Sequence, residues 1–217
     1  MIIQAGIRRM VQDGEDIFYY ITLTNENYPQ PVLPPADREG ILRGLYRYAG
    51  GADATVQLLG SGAILNEASQ ARELLRERYG IAAAVWSATS YKALYADACQ
   101  TQRWNRLHPA ETPRTPYLLQ CLGATAGPVI AASDYVRALP GCIGAWLGSR
   151  LTTLGTDGFG RSDGRAALRR FFGVDAAAIA YTALTALAAS GGFDKGRLVE
   201  AADALGIDRD APAPETC

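Results

Sequence analysis

The apolar positions fall into two regimes. In Met1–Gln12, Ile3, Ile7, Met10 and Val11 recur on one side of a 3.6-residue period, which predicts an amphipathic helix. The next apolar run, IFYYITL over 17–23, is aromatic and β-branched and predicts a strand. The proline-dense stretch at 25–36 follows, which neither a helix nor a central strand tolerates, so it reads as a linker. One helix and one strand cannot bury each other, so residues 1–24 read as an appendage or as the end of a larger domain.

Beyond the linker, strand and helix alternate. A short helix is predicted over 37–46, a strand at TVQLL (55–59), and a helix through GSGAILNEASQARELLRERYG that ends at Gly80. IAAAVWS (81–87) predicts a second strand and 90–100 a helix. A helix is predicted over 111–121, a strand at VIAA (129–132), a helix from Asp134 and a strand over 150–154. Helices follow at about 163–172, 175–190 and 194–205. The strands are apolar on both faces. That pattern predicts an α/β domain over 37–210: a doubly wound, mostly parallel sheet with flanking helices. Residues 211–217 read as a frayed tail.

Composition narrows the function classes. A chain of 217 residues suits one large domain with an attached piece. The net charge of -1 argues against a nucleic-acid binder, so Arg8–Arg9 and the arginines of 161–170 read as helix faces. Four cysteines without CxxC spacing and a single histidine argue against zinc and fit a reducing, cytoplasmic setting. The N-terminus lacks the pattern of a signal peptide, and no apolar run is expected to reach the length of a membrane span.

Three stretches invite chemistry. LLGSGAILNEA runs a strand into G-x-G and a helix, as dinucleotide sites do, but Leu65 stands where the third glycine belongs. Gly60 and Gly62 therefore serve either an anion at the helix N-terminus or only a tight turn. RWNRLHPAETPRTPY carries His108, either a general acid–base or a capping residue in a polar niche. Pro109, Pro113 and Pro116 stiffen its loop, and Glu111 and Arg114 are spaced i, i+3 as a helical pair. LGTDGFGRSD places Asp157, Gly158, Phe159, Gly160, Arg161 and Ser162 between a strand and a helix. It has too few oxygen ligands for Mg²⁺ and no Gly-Lys-Ser/Thr for a phosphate. No asparagine follows Asp157-Gly158, as the metal–diphosphate motif of thiamine enzymes requires. Ser162 or Asp163 is predicted to cap the following helix, and Phe159 to dock against a neighbour.

Five blocks in order, YYITLTNENYPQP, VQLLGSGAIL, RWNRLHPAETPRTPY, ASDYVRALP and LGTDGFGRSDGRAALRRFF, resemble the C-terminal part of the homodimeric-type bacterial pyruvate dehydrogenases. These are the decarboxylating first components of the pyruvate dehydrogenase complex. TNENY and TDGFGRSD are the most specific blocks, and CIGAWLGSR (142–150) lies outside them. The resemblance implies a transketolase-like C-terminal domain over 37–210, preceded by the last helix and strand of a pyrimidine-binding domain. It implies thiamine diphosphate and Mg²⁺ held upstream, so no catalytic, cofactor or metal residue is carried over to this chain. It also implies a homodimer and an acetyltransferase core as partners, with no nucleic acid and no membrane. The chain is then expected to supply structural and dimer contacts and to be inactive alone. Three readings compete. One is a small-molecule-binding regulatory module, with its ligand beyond Leu59 and Leu154. Another is a related 2-oxo-acid dehydrogenase. The third is a free-standing enzyme using His108.

Overall fold

A computed structural model describes residues 1–28 and 38–216. Most of the predicted linker, Asp37 and Cys217 lie outside the described residues. The elements run α1 Ile2–Ile7, α2 Arg38–Arg43, β1 Leu45–Ala49, β2 Val56–Gly60, α3 Ile64–Tyr79, β3 Ala83–Ala88, α4 Tyr91–Leu107, α5 Tyr117–Leu122 and β4 Val129–Ala132. Then come α6 Ala138–Gly141, α7 Gly144–Leu147, β5 Leu151–Leu154, α8 Arg165–Phe171, α9 Ala176–Ala189 and α10 Leu198–Leu205.

The sheet has five strands in the order β1-β3-β2-β4-β5. β3, β2, β4 and β5 are parallel, and β1 joins the edge antiparallel. Every residue of β2, β3 and β4 is buried, because helices cover both faces. Alternate side chains divide between the two layers. Val56, Leu58, Val85 and Ile130 pack with Ile64, Leu75, Ile179 and Leu184 of α3 and α9. Leu59, Trp86, Val129 and Ala131 pack with Leu94 of α4, Leu118 and Leu122 of α5, Ile143, and Leu147 of α7. The predicted doubly wound α/β fold is therefore present.

Local chemistry explains the boundaries. Gly80 closes α3 in the left-handed conformation, and the side chains of Ser90 and Asp175 cap α4 and α9 by accepting from Ala93 and Ala178 N–H. Segment 165–189 has the length and apolar composition of a membrane span. It is broken between α8 and α9, and α9 buries Ile179, Ala180, Ala183, Leu184 and Leu187 in the core.

Several expectations are corrected. Residues 17–23 form no strand: Phe18, Tyr20 and Leu23 are 82%, 86% and 87% exposed, and no described strand offers them a ladder. The segment instead folds back on α1, where Tyr19 packs on Gly6 and Arg9 bonds Glu15 and the Tyr19 hydroxyl. Helix α2 stops at Arg43, and Leu45–Ala49 becomes an edge strand. The switch is made at Gly44 (φ +103), where a Cβ would stand 2.6 Å from the Ser90 carbonyl oxygen. Residues 111–116 are not helical, so Glu111 and Arg114 do not pair; the prolines delay α5 to Tyr117. From Asp134 the chain turns before the short α6. The tail is not frayed throughout: 214–216 form a 3-10 turn whose backbone lies against Gly158.

One buried polar group organises the central strands. Gln57 is 2% exposed, accepts from the Trp86 indole N–H at 2.9 Å and donates to the Ala54 and Ala126 carbonyls. Gln57→Leu would leave the indole N–H buried without an acceptor. It is expected to cost about 1–3 kcal/mol in urea unfolding; an unchanged midpoint would show the hydrogen bond to be inert.

Candidate functional site

In a doubly wound sheet the two windings part at one crevice, outside the carboxyl ends of the central strands. Here the chain leaves β2 for α3 on one face and β4 for α6 on the other. The crevice mouth is stitched shut. Ser61 Oγ–H donates to Ser133 Oγ at 2.9 Å, and the Ser133 hydroxyl accepts from Tyr135 N–H at 3.2 Å. The N–H groups of Ile64, Leu65 and Asn66 bond the Ser61, Gly62 and Ala63 carbonyls, so the first turn of α3 does not offer them to an anion. Gly60 and Gly62 both have local structural reasons. A Cβ on Gly60 would lie 2.6 Å from Leu65 Cα, and Gly62 takes a positive φ of +54. The glycines thus let strand and helix approach closely.

The open space lies beside this mouth. A groove of about 510 Å³ runs between segment 23–26, the loop after β5 and α8, with Leu168, Phe172 and Val174 among its apolar lining. It brings together the two most specific blocks of the sequence. Asn25 Oδ1 accepts from Arg165 at 2.5 Å. Glu26 is bonded bidentately by Arg169, which also donates to Glu67 Oε1 at 3.0 Å. Glu67 Oε2 in turn accepts from Ala176 N–H at 2.9 Å, in the first turn of α9. The side chains of Arg169 and Glu67 are 17% and 12% exposed. Burial works against the Arg169 charge, but the two carboxylates outweigh it and hold the guanidinium more firmly protonated than usual.

In the predicted loop, Asp157 faces Arg137 rather than open space, accepting from its N–H at 3.1 Å and its Nε–H at 2.8 Å. Arg137 continues to Glu215 in the C-terminal turn. Gly158 (φ +93) lets that turn approach, since a Cβ there would meet Glu215 Cα at 2.9 Å. Phe159 is 83% exposed, nothing crowds Gly160, and Arg161 lies over the Phe171 ring. Ser162 is exposed and does not cap α8. Gly164 takes the N-cap position, and the Asp163 carboxylate accepts from the Gly164 N–H, one residue before the helix.

His108 lies apart from all this, at the C-cap of α4. Its Nδ1 is 2.8 Å from the Trp104 carbonyl and its ring stacks on the Trp104 indole. Among the described residues no carboxylate or nucleophile is bonded to it. Burial pushes the thiols of Cys121 and Cys142 upward, away from nucleophilic thiolates. The described residues contain no group of three or more His, Cys, Asp or Glu side chains placed to hold a metal ion.

Asn25, Glu26, Glu67, Arg165 and Arg169 were not singled out from the sequence. The signal for Asn25 and Glu26 was their place in the TNENY block, whereas Glu67 and Arg169 are 102 positions apart and carry no local sign of each other.

The family profile agrees with this architecture. The profile of the transketolase-like TK C-terminal domain matches residues 44–175. The pyruvate dehydrogenase E1 component of Pseudomonas aeruginosa is 45% identical over 221 residues, covering 100% of this chain and 25% of that protein. The E1 component of Escherichia coli K12 is 40% identical, covering 99% of this chain and 24% of that protein. A transketolase crystal structure from Pichia stipitis superposes with a TM-score of 0.49 at 18% identity, over 72% of this chain and 20% of that one. The chain spans about a quarter of the length of these curated relatives. It belongs to the transketolase-like C-terminal domain family and corresponds to a C-terminal part of pyruvate dehydrogenase E1 components.

Proposed function

We propose that the chain is the C-terminal part of a cytoplasmic, homodimeric, thiamine-diphosphate-dependent pyruvate dehydrogenase. That enzyme decarboxylates pyruvate and passes the acetyl group to lipoyl groups on an acetyltransferase core. Identity of 45% along the whole chain, against a relative of which it spans a quarter, carries this reading. This reading assigns thiamine diphosphate and Mg²⁺ to the rest of the enzyme. The task of this chain is then to dock.

The surface is consistent with docking. Ile3, Ile7, Val11, Phe18, Tyr20 and Leu23 are all exposed on the N-terminal segment, and Phe159 stands out from the loop after β5. Exposed apolar surface of this extent favours a covering partner. The rest of the enzyme or the second subunit is the occupant this reading assigns.

Calorimetry of the chain with thiamine diphosphate and Mg²⁺ should give no binding heat. Co-expression with the remaining three quarters of a relative should give a co-purifying complex that decarboxylates pyruvate. Micromolar cofactor binding by the chain alone, or failure of the pieces to associate, would contradict the assignment.

A further inference from the structure

The sequence block RWNRLHPAETPRTPY has no part in the groove beside the sheet. It builds a second one of about 670 Å³, where the last turns of α4 meet the proline-stiffened connection to α5. This size falls in the range of small-molecule sites. Arg43 and Asp97 of its lining are already engaged. Arg43 donates to Glu39 at 3.1 Å and lies 3.6 Å from Asp97, whose carboxylate also accepts from Tyr117 N–H at 2.7 Å.

Arg103 and Arg114 are different. Both line the groove, and no carboxylate pairs with either among the described residues. Arg114 is nevertheless held in place. Its guanidinium lies over the Trp104 ring, 3.6 Å from the centroid. Its backbone is gripped by Asn105, which accepts from Arg114 N–H at 2.8 Å and donates to the Arg114 carbonyl at 2.9 Å. This contact holds the guanidinium against the indole, and among the described residues its N–H groups have no acceptor. That is a pre-oriented fork, the geometry that suits a planar pair of anionic oxygens. His108 stacks on the same indole, 4.5 Å between centroids, and its Nδ1 faces the Trp104 carbonyl, which leaves Nε2 for another partner.

We propose that this groove is a binding site for a small phosphorylated molecule, with Arg114 and Arg103 holding the phosphate. Two uncompensated positive charges match a dianion better than a single carboxylate. The site is separate from the docking role proposed above and stands or falls independently of it.

The test uses the full chain titrated with inorganic pyrophosphate and with orthophosphate at constant ionic strength, followed by tryptophan fluorescence and calorimetry. Saturable pyrophosphate binding is expected, weakened by about tenfold or more in Arg103→Gln and in Arg114→Gln. Arg114→Lys, which keeps the charge but loses the fork, should also bind more weakly than wild type. Arg103 is exposed and makes no described contact, so R103Q serves as the variant that leaves folding intact, checked by its unliganded melting curve. No saturable binding overturns the proposal. So does equal affinity in the R103Q/R114Q double variant, or binding of polyglutamate without binding of pyrophosphate.

Discussion

Gly127→Ala is expected to destabilise the chain by about 3 kcal/mol or more, and to lower the thermal midpoint by roughly 6–12 °C. Gly127 has φ +72, and a Cβ there would stand 1.8 Å from the Thr55 carbonyl oxygen and 2.8 Å from its carbonyl carbon. The obstacle is backbone, so no side-chain rotation relieves it. The turn cannot easily withdraw either. Arg150 donates to the Gly127, Leu122 and Thr125 carbonyls at 2.9, 3.2 and 2.7 Å, and the adjoining Pro128 carbonyl accepts from Gln57 N–H. Gly62→Ala is the control. It also imposes a positive φ, here +54, but no other side chain or backbone atom lies within 4 Å of the added Cβ. It should cost only about 1–2 kcal/mol. Equal losses in the two variants would show that backbone conformation alone matters and that the clash is relieved by a shift.

The second large effect is expected at Arg169. Arg169→Met keeps most of the side-chain volume but leaves Glu67 without its cation and Glu26 with only Arg165, 3.9 Å away. A fully buried pair broken on one side costs about 3–5 kcal/mol, and the residual exposure here reduces that to about 2–3 kcal/mol at neutral pH. The loss should be local as well as global. Segment 1–28 is tied to α8 by Asn25–Arg165 and Glu26–Arg169, so limited proteolysis should cut the variant within that segment faster than the wild type. Adding Glu67→Gln to the variant should recover part of the stability, because the carboxylate left without a cation is then removed. Identical cleavage rates in wild type and Arg169→Met would refute the clasp.

The readable parts of the fold were those with a local cause. VQLLG, AAVWSA and VIAA were legible because central parallel strands are apolar on both faces. The end of α3 at Gly80 and the starts of α4 and α9 at Ser90 and Asp175 follow from single capping residues. The illegible parts depend on partners far away in the chain. IFYYITL has strand composition but no ladder among the described residues, and LYRYA became a strand because β3 accepts it at the sheet edge. The same holds for the sites. The resemblance in TNENY and TDGFGRSD identified the right regions, yet periodicity could not show that Glu26, Glu67 and Arg169 converge. Arg169 on α8, which reads as part of a charged helix face, is a largely buried ligand for two carboxylates. His108 was legible as a lone residue, but its stack on Trp104 depended on the end of α4, seven residues beyond its expected limit.

The clasp also sets a schedule. Glu26 and Arg169 are separated by 143 positions, so during synthesis the N-terminal segment emerges long before the residue that secures it. At typical elongation rates of about 5–20 residues per second, that interval is on the order of ten seconds. Throughout it, Phe18, Tyr20 and Leu23 have no tether through Glu26 to the α/β core. Until α8 is made the segment lacks this tie, and its exposed aromatic and leucine side chains can meet other surfaces even where α1 already touches α2. The order of the motifs along the chain makes the Glu26–Arg169 tie a late contact of this segment, formed after α2 is available to α1.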